Sequence, residues 1–265
     1  MKIRQKFLII TVIALLGCET GSRSVKVASV IDVDVPEGKK KVISVIKFED
    51  RSIQTKDFSS WTMGIPEMIM QTLGAIPYYK VISREYLVNH VIKEQEFQLL
   101  GATDPASAVK LGNLMNAQYI VVGSYQVFKD KLMITAKVIS VGTGQIIIQS
   151  SVTGLLDEFY KQQNELAIQI TQGMNLYLSP DAKKKLMDQY EKQETKIVEA
   201  SLNNYKGEEK LEEIAVLKEK GEKEKVKEKT IEAKQDFKKA ISIDSGYQKA
   251  KKNLSKLILG APMTL

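Results

Sequence analysis

The amino-acid sequence predicts a mixed α/β domain, in which helices pack against a mixed sheet with an antiparallel meander, followed by a charged α-helical arm. Short runs rich in Val and Ile, some of them alternating with polar residues, predict the strands. Longer segments with apolar residues at helical spacing predict the helices. Composition predicts the arm, because Lys and Glu dominate the chain after residue 180 and proline is absent there until Pro262.

The first half of the domain is expected to alternate strands with helices. Residues 41–48 form a nearly continuous apolar run, which is typical of a strand covered on both faces. A helix is expected over 58–75 and a short strand over 78–83. Between residues 84 and 100 the apolar side chains fall on one stripe, which predicts an amphipathic helix that ends at Gly101.

The second half is expected to begin and end with a helix. Asp104 followed by Pro105 is typical of a helix start, because the aspartate caps the first turn and proline at the first position loses no helical hydrogen bond. This helix is expected to end near Met115. A long helix that closes the domain before Pro180 is predicted by apolar residues at helical spacing, namely Phe159, Leu166, Ile170, Met174 and Tyr177.

Between these two helices, strands over 119–128, 132–141 and 145–154 are expected to form the antiparallel meander. Lys129-Asp130-Lys131 and Gly142-Thr143-Gly144 supply the two turns. The alternation of side chains predicts one face of the second strand from Leu132, Ile134, Ala136 and Val138, and one face of the third from Ile146, Ile148 and Val152.

The N-terminal residues have the pattern of a lipoprotein export signal. Basic residues precede an apolar stretch over 7–16, which is too short to cross a bilayer as a helix of roughly twenty residues. Gly17 stands directly before Cys18, the only cysteine in the chain. This arrangement resembles the bacterial lipobox, which implies cleavage between Gly17 and Cys18 and acylation of Cys18 with fatty acids such as palmitate. An ordinary signal peptide that ends near a cysteine is the alternative.

The domain boundaries follow from these patterns. Residues 1–17 are the expected signal peptide, 18–39 a tether, and 40–180 the α/β domain. Residues 25–35 within the tether contain enough Val and Ile for an additional edge strand.

Glu19 rather than an aspartate follows the cysteine, so nothing argues for retention at the inner membrane. The expected location is the outer membrane, facing the periplasm.

The charge argues against a nucleic-acid-binding protein, and the cysteine count excludes a domain held by internal disulfides. Loss of the signal peptide removes three basic residues and lowers the net charge from +7 to +4. Nucleic-acid binding is not expected, because the lysines form only short runs rather than one basic face. A single cysteine allows no disulfide within the chain, so the stability must come from a packed core.

The charged helical region spans residues 181–265. Ala233, Phe237 and Ala240 fall on the spacing of the second helix of a tetratricopeptide repeat, so residues 214–257 are a candidate for one such unit. A single repeat rarely buries enough surface to fold by itself. A solvated helical hairpin without a peptide-binding role is the alternative.

The sequence predicts no catalytic, metal or cofactor site. A Ser-His-Asp hydrolase needs a histidine, and the single His90 lies one position away from the apolar stripe of its helix, as a structural residue would. Because acylation would use Cys18, His90 and carboxylates alone fall short of a zinc ligand set. Gly142-Thr143-Gly144 joins two strands, so it is not a phosphate-binding loop. Trp61 is expected to pack at the start of its helix.

Six short motifs stand in order along the predicted domain. They are Ser83-Arg84-Glu85-Tyr86-Leu87, Lys93-Glu94-Gln95, Gly101, Ala108-Val109-Lys110-Leu111-Gly112, Ala117-Gln118-Tyr119-Ile120-Val121-Val122-Gly123-Ser124 and Thr143-Gly144-Gln145-Ile146. Together they resemble the CsgG-like periplasmic domain family, whose fold is similar to the N-terminal domain of TolB and to the LpoB and FlgO lipoproteins. The resemblance covers residues 40–178 and implies a mixed α/β domain on a lipid-anchored envelope protein.

The resemblance implies binding rather than catalysis. CsgG proteins are curli secretion channels with additional hairpins that insert into the membrane. The turns of this sequence are too short for such hairpins, because each membrane strand needs about 9 to 11 residues. We therefore expect an accessory in assembly or secretion, acting through protein contacts and self-association. The alternative is an LpoB-like regulator of a peptidoglycan synthase, and a curli-type channel is the least expected function.

Overall fold

A computed structural model of the chain describes residues 33–53, 56–82, 104–189 and 194–259. The predictions for Gly17, Cys18 and His90 lie outside these residues, as does the amphipathic helix expected over 84–100.

One mixed sheet forms the centre of the described structure. Its strands are β1 (Lys41–Val45), β2 (Glu49–Asp50), β3 (Tyr79–Val81), β4 (Tyr119–Phe128), β5 (Lys131–Ser140) and β6 (Ile146–Leu155). Their order is β3-β1-β4-β5-β6, and β2 pairs with β4 beyond the end of β1. β1 runs parallel to β3 and β4, whereas β4, β5 and β6 are antiparallel. The predicted mixed sheet with its meander is therefore confirmed.

Helices cover this sheet and continue to the end of the described chain. They are α1 (Trp61–Gly74), α2 (Pro105–Leu114), α3 (Phe159–Gly173), α4 (Pro180–Gln189), α5 (Val198–Glu219), α6 (Lys223–Ile243) and α7 (Gln248–Leu259). A 3-10 turn, Glu37–Lys39, precedes β1, and another, Leu156–Glu158, leads into α3. The predicted helical C-terminal region is therefore confirmed.

β1 is covered on both faces, as its apolar run predicts. Ile43 and Val45 belong to the main core, whereas the following Ile46 packs with Leu111 of α2 on the other face. The strand ends at Val45 rather than at Phe48, because the N–H of Phe48 turns away and donates to the carbonyl of Thr62 at 3.0 Å.

The helices on either side of the meander begin as predicted, but the second ends early. The Asp104 carboxylate accepts a hydrogen bond from the N–H of Ser107 at 2.9 Å, which confirms the cap of α2. α3 ends at Gly173, so the expectation that it continues through Tyr177 is wrong. The physical reason is Asn175, whose φ of 57° turns the chain out of the helix.

A bulge changes the predicted face of β6. The register shifts between Val138 and Ile139, so Ile148 pairs with Val138 but Ile146 pairs with Ile139. Because neighbouring residues of a strand point to opposite faces, Ile146 lies on the face opposite to Ile148. The prediction that the two isoleucines share a face is therefore wrong, although Val152 is buried as expected.

Trp61 connects the sheet to the helices at the start of α1. Its ring packs against those of Phe58, Tyr125 and Phe159 at centroid distances of 5.3, 6.5 and 5.0 Å. The indole N–H donates to the hydroxyl of Ser201 in α5 at 3.2 Å. Trp61 is fully buried, so its predicted packing role is confirmed.

The C-terminal helices pack directly on the α/β domain. Leu202 and Tyr205 of α5 belong to the same core cluster as Trp61, and so does Leu186 of α4. The change in composition at residue 181 is therefore not a break in the packing. Phe237 of α6 is buried against α5, but its assignment to a tetratricopeptide unit stays a prediction.

We expect Gly64→Ala to destabilise the protein by about 1 to 3 kcal/mol, the usual cost of overpacking a core. A Cβ at Gly64 would overlap the ring of Tyr205, so α1 and α5 would have to separate. Gly38→Ala is the matched control, because a Cβ there meets nothing within 4 Å. Urea unfolding measures both variants, and equal stability of the two would contradict this packing.

Asp57 makes a pH-dependent link between the α1 start and α5. Hydrogen bonds from Ser59, and then the Lys206 ammonium at 3.2 Å, lower the pKa of the Asp57 carboxyl from 3.8 to about 2. Because the folded-state pKa is below the unfolded one, the stabilisation is complete above pH 3.8 and is lost as the pH falls through about 2.

Asp57→Asn should therefore cost about 1 kcal/mol or less at pH 7, because the carboxylate is largely exposed and solvent screens the ion pair. The difference from the unmodified chain should shrink as the pH is lowered below 4. Urea unfolding across this pH range measures it, with Asp188→Asn on the exposed side of α4 as the control. A cost that does not change with pH would refute the role of the ionised carboxylate.

Candidate protein-binding surface

Among the described residues, α2 and the end of α5 cover the outer face of the meander over only half of its length. Ile120, Val122 and Ile139 pack under Leu111 of α2. Beyond them the outward residues are at least partly exposed, and we call this set the meander face. It consists of Ser124, Gln126, Phe128, Lys131, Met133, Thr135, Ser151, Thr153 and Leu155.

The meander face is apolar at the end where β4 turns into β5. The register places Phe128, Lys131 and Leu155 side by side across the three strands, so adjacent Cβ atoms are about 5 Å apart. Met133 stands in the next row. Phe128, Met133 and Leu155 are 58%, 41% and 47% exposed, respectively. Large apolar side chains that cluster on an exposed surface commonly mark a binding site.

The centre of the meander face is polar and borders a small cavity. The hydroxyls of Thr135 and Ser151 are 3.1 Å apart and form a hydrogen bond. Arg51 lines the cavity. Its backbone N–H donates to the carbonyl of Tyr125 at 2.8 Å, and its guanidinium donates to the Glu49 carboxylate at 2.7 Å. That hydrogen bond raises the pKa of Arg51. The cavity has a volume of about 230 Å³.

β6 forms one edge of the described sheet. Its ten residues, Ile146–Leu155, include no charged side chain and no proline. Exposed edges of sheets usually carry such residues, because unpaired N–H and C=O groups otherwise recruit another strand. The β6 edge is therefore suited to pairing with an extended segment of another protein.

The two turns of the meander are tight. β4 passes into β5 through Lys129 and Asp130, and Lys129 adopts a φ of 56°. The turn between β5 and β6 uses Gly144 at a φ of 69°, which confirms its predicted role as a hairpin turn. The β4–β5 turn places Phe128 at the end of the sheet opposite to the β5–β6 turn, and Leu155 lies beside it because it pairs with Lys131.

The C-terminal helices contain a buried charge cluster that sequence reasoning missed. The Lys249 ammonium lies 3.5 Å from a carboxylate oxygen of Glu208 and 3.6 Å from one of Glu194. It also lies over the ring of Tyr205, 4.5 Å from the centroid. The Tyr247 hydroxyl donates to Glu194 at 3.0 Å. Nothing in the sequence distinguishes Lys249 from the many lysines around it, so only the packing reveals the cluster.

This cluster has a structural role, because its charged and polar groups are paired with one another. Burial by itself would lower the pKa of Lys249, but Glu208, Tyr205 and Glu194 together raise it above its usual range, so the ammonium stays charged. Burial raises the pKa of Tyr247, so its hydroxyl remains a donor. The Asn253 side chain donates to Glu208 at 2.7 Å and completes the contact between α5 and α7.

Two further findings concern the described residues. They contain no group of three or more His, Cys, Asp or Glu side chains arranged to hold a metal ion. None of the helices within them is both long enough and apolar enough to cross a membrane.

Comparison with known proteins shows which family part of this chain resembles. Residues 25–132 match the family model described as "Curli production assembly/transport component CsgG". Over these residues the chain is therefore similar to the CsgG family, which agrees with the resemblance of its motifs. No curated protein matches the chain.

Several solved structures are similar to the chain at low identity. The LpoB C-terminal domain from Salmonella enterica has 14% identity over 44% of this chain and 84% of its own length, with a TM-score of 0.33. TolB from Acinetobacter baumannii has 11% identity over 51% of this chain and 28% of its own, with a TM-score of 0.35. Lipoprotein GNA1162 from Neisseria meningitidis has 15% identity over 43% of this chain and 79% of its own, with a TM-score of 0.32.

Lys249→Met should destabilise the protein by about 3 kcal/mol or more, because it leaves two carboxylates buried without a cation. Lys251→Met, on the exposed side of the same helix, should cost less than about 0.5 kcal/mol. Urea unfolding measures the loss, and hydrogen exchange of the α7 amides locates it. Equal losses of stability from the two substitutions would contradict the structural role of Lys249.

Proposed function

We propose that this chain is a lipid-anchored protein of the cell envelope that acts as a non-enzymatic accessory in assembly or secretion at the outer membrane. Its CsgG-like domain would bind another envelope protein, and acylated Cys18 would hold it at the membrane. The observation that carries the binding role is the cluster of exposed apolar side chains on the meander face, namely Phe128, Met133 and Leu155.

The sequence around Cys18 supports the lipid anchor. A basic start, a short apolar stretch and Gly17 before the only cysteine fit export followed by acylation. Two or three acyl chains hold a protein on a membrane stably, whereas one chain alone gives only reversible binding. The tether over 18–39 would then connect the acylated end to the domain.

The meander face and the β6 edge support binding through protein contacts. Exposed apolar side chains provide the area that a partner would bury, and β6, an edge of the described sheet, provides backbone hydrogen bonds. The name of the matching family favours a partner in an assembly or transport system. The regulator of a peptidoglycan synthase is the alternative, and the identity of the partner distinguishes the two.

Cys18→Ser should abolish the incorporation of labelled palmitate and move the protein from the membrane fraction to the soluble envelope fraction. Ser22→Ala is the control and should remain acylated and membrane-bound. The membranes should be washed with high salt, so that purely electrostatic attachment does not count as anchoring. Continued labelling of the Cys18→Ser chain would refute the anchor.

A photo-crosslinking residue at Met133 tests the binding surface in living cells. We expect a discrete adduct from Met133 and none from the same residue at Ser242, which is exposed on α6. Mass spectrometry of the adduct identifies the partner. An assembly or secretion component supports the proposal, a peptidoglycan synthase supports the alternative, and no adduct from Met133 contradicts the binding role of this face.

A further inference from the structure

We propose that the end of the sheet where the tether enters is a membrane-facing surface that binds anionic phospholipids. We call it the anchor end, and it consists of the start of β1, β3 and β4, the β5–β6 turn and the chain after α3. This inference deepens the proposed function and rests on it for the position of the membrane, but it concerns surface contact rather than acylation.

The register places these segments together. The Gln118 N–H donates to the carbonyl of Val42 at 2.8 Å, and the Val141 N–H donates to the carbonyl of Gln118 at 2.9 Å. The start of β6 adjoins them, because the Ser140 N–H donates to the carbonyl of Gln145 at 2.9 Å. An open depression of about 590 Å³ lies here, lined in part by Lys39, Lys40 and Lys41.

The anchor end is basic, whereas the opposite end is not. Residues 33–45 and 79–81 carry four lysines, Lys39, Lys40, Lys41 and Lys80, against two acids, Asp34 and Glu37. At the opposite end, residues 47–53, 128–131 and 155–158 carry four basic and five acidic side chains. These segments therefore carry a net charge of +2 at the end that the tether joins, where Glu37 pairs with Lys40 at 2.8 Å, and −1 at the opposite end.

Exposed apolar and aromatic side chains accompany these lysines. Ile146 and Ile147, at the start of β6, are 44% and 45% exposed. Tyr177 follows α3 and is 74% exposed. The end of α3 lies at this end of the sheet, because the Tyr79 hydroxyl donates to the Met174 sulfur at 3.4 Å. Tyrosine is enriched at the level of lipid headgroups.

The tether places the anchor end near the membrane. Residues 18–36 span at most about 65 Å when fully extended, so the domain of an acylated chain stays within that distance of the lipid. The tether joins the domain at the anchor end, so this end, rather than the one with Phe128 and Leu155, is the one attached nearest to the bilayer. Each lysine near an anionic surface contributes about 1 kcal/mol of binding free energy, which is about fivefold in the partition coefficient.

Vesicle binding of the mature chain without its lipid tests this surface. The chain begins at Glu19 and is sedimented with vesicles that contain phosphatidylglycerol or only phosphatidylcholine, at low and high salt. We expect binding only to the anionic vesicles, and weaker binding at high salt.

The triple variant Lys39→Gln, Lys40→Gln, Lys41→Gln should bind about 100-fold more weakly. The matched control is Lys238→Gln, Lys239→Gln, Lys252→Gln, which removes the same charge elsewhere and should bind normally.

A second pair of variants tests the apolar contribution. Ile147→Ser with Tyr177→Ser should weaken binding to anionic vesicles, whereas Phe128→Ser with Leu155→Ser at the opposite end should not. Circular dichroism confirms that each variant is folded. Equal losses in a variant and its matched control, or no preference for anionic vesicles, would overturn the inference.

The vesicle-binding experiment and the acylation experiment on Cys18 can succeed or fail independently. Acylation of Cys18 together with no vesicle binding would overturn this inference and leave the proposed function standing. Anionic binding that depends on Lys39–Lys41, in a chain whose Cys18 is not acylated in cells, would support the surface and refute the anchor. Binding to purified peptidoglycan instead of vesicles would overturn the assignment of lipid as the ligand.

Discussion

The burial of Trp61 is the constraint on which the remainder of the described structure depends. Its ring fills the space between the sheet and α3, where it contacts Tyr125 and Phe159, and its N–H donates to the hydroxyl of Ser201 in α5. A buried indole N–H without a partner would be costly, so the position of α5 is coupled to that of α1. The absence of a side chain at Gly64 then lets Tyr205 approach closely.

This coupling makes the C-terminal helices part of the domain rather than a detached arm. Charged helices with few apolar residues bury little surface by themselves. Here α5 uses one side to join the main core and another to hold Phe237 of α6, while the charge cluster around Lys249 holds α7. The end of α5 also reaches the outer face of the sheet, where Ala215 and Val216 pack against the cluster that contains Leu111 of α2. Among the described residues, Phe128, Met133 and Leu155 of the meander face stay exposed.

The two ends of the sheet differ in chemistry, and this difference gives the molecule an orientation. The tether and the lysines Lys39–Lys41 lie at one end, and Phe128 and Leu155 lie at the other. β4 spans ten residues, or about 33 Å at the usual rise per residue. A domain held at its basic end would present Phe128 and Leu155 away from the membrane, toward a partner in the envelope.

The sequence by itself determined the class of fold, because strand and helix periods, the Asp104 cap and the turn at Gly144 are local signals. It also identified Trp61 as a packing residue and carried the motifs of the CsgG-like domain. It could not give the face of Ile146 or the end of α3, because a bulge and a left-handed Asn175 depend on packing beyond the local pattern. Only the tertiary structure decided that Lys249 is buried among carboxylates, since nothing in its local sequence sets it apart from other lysines of the C-terminal helices.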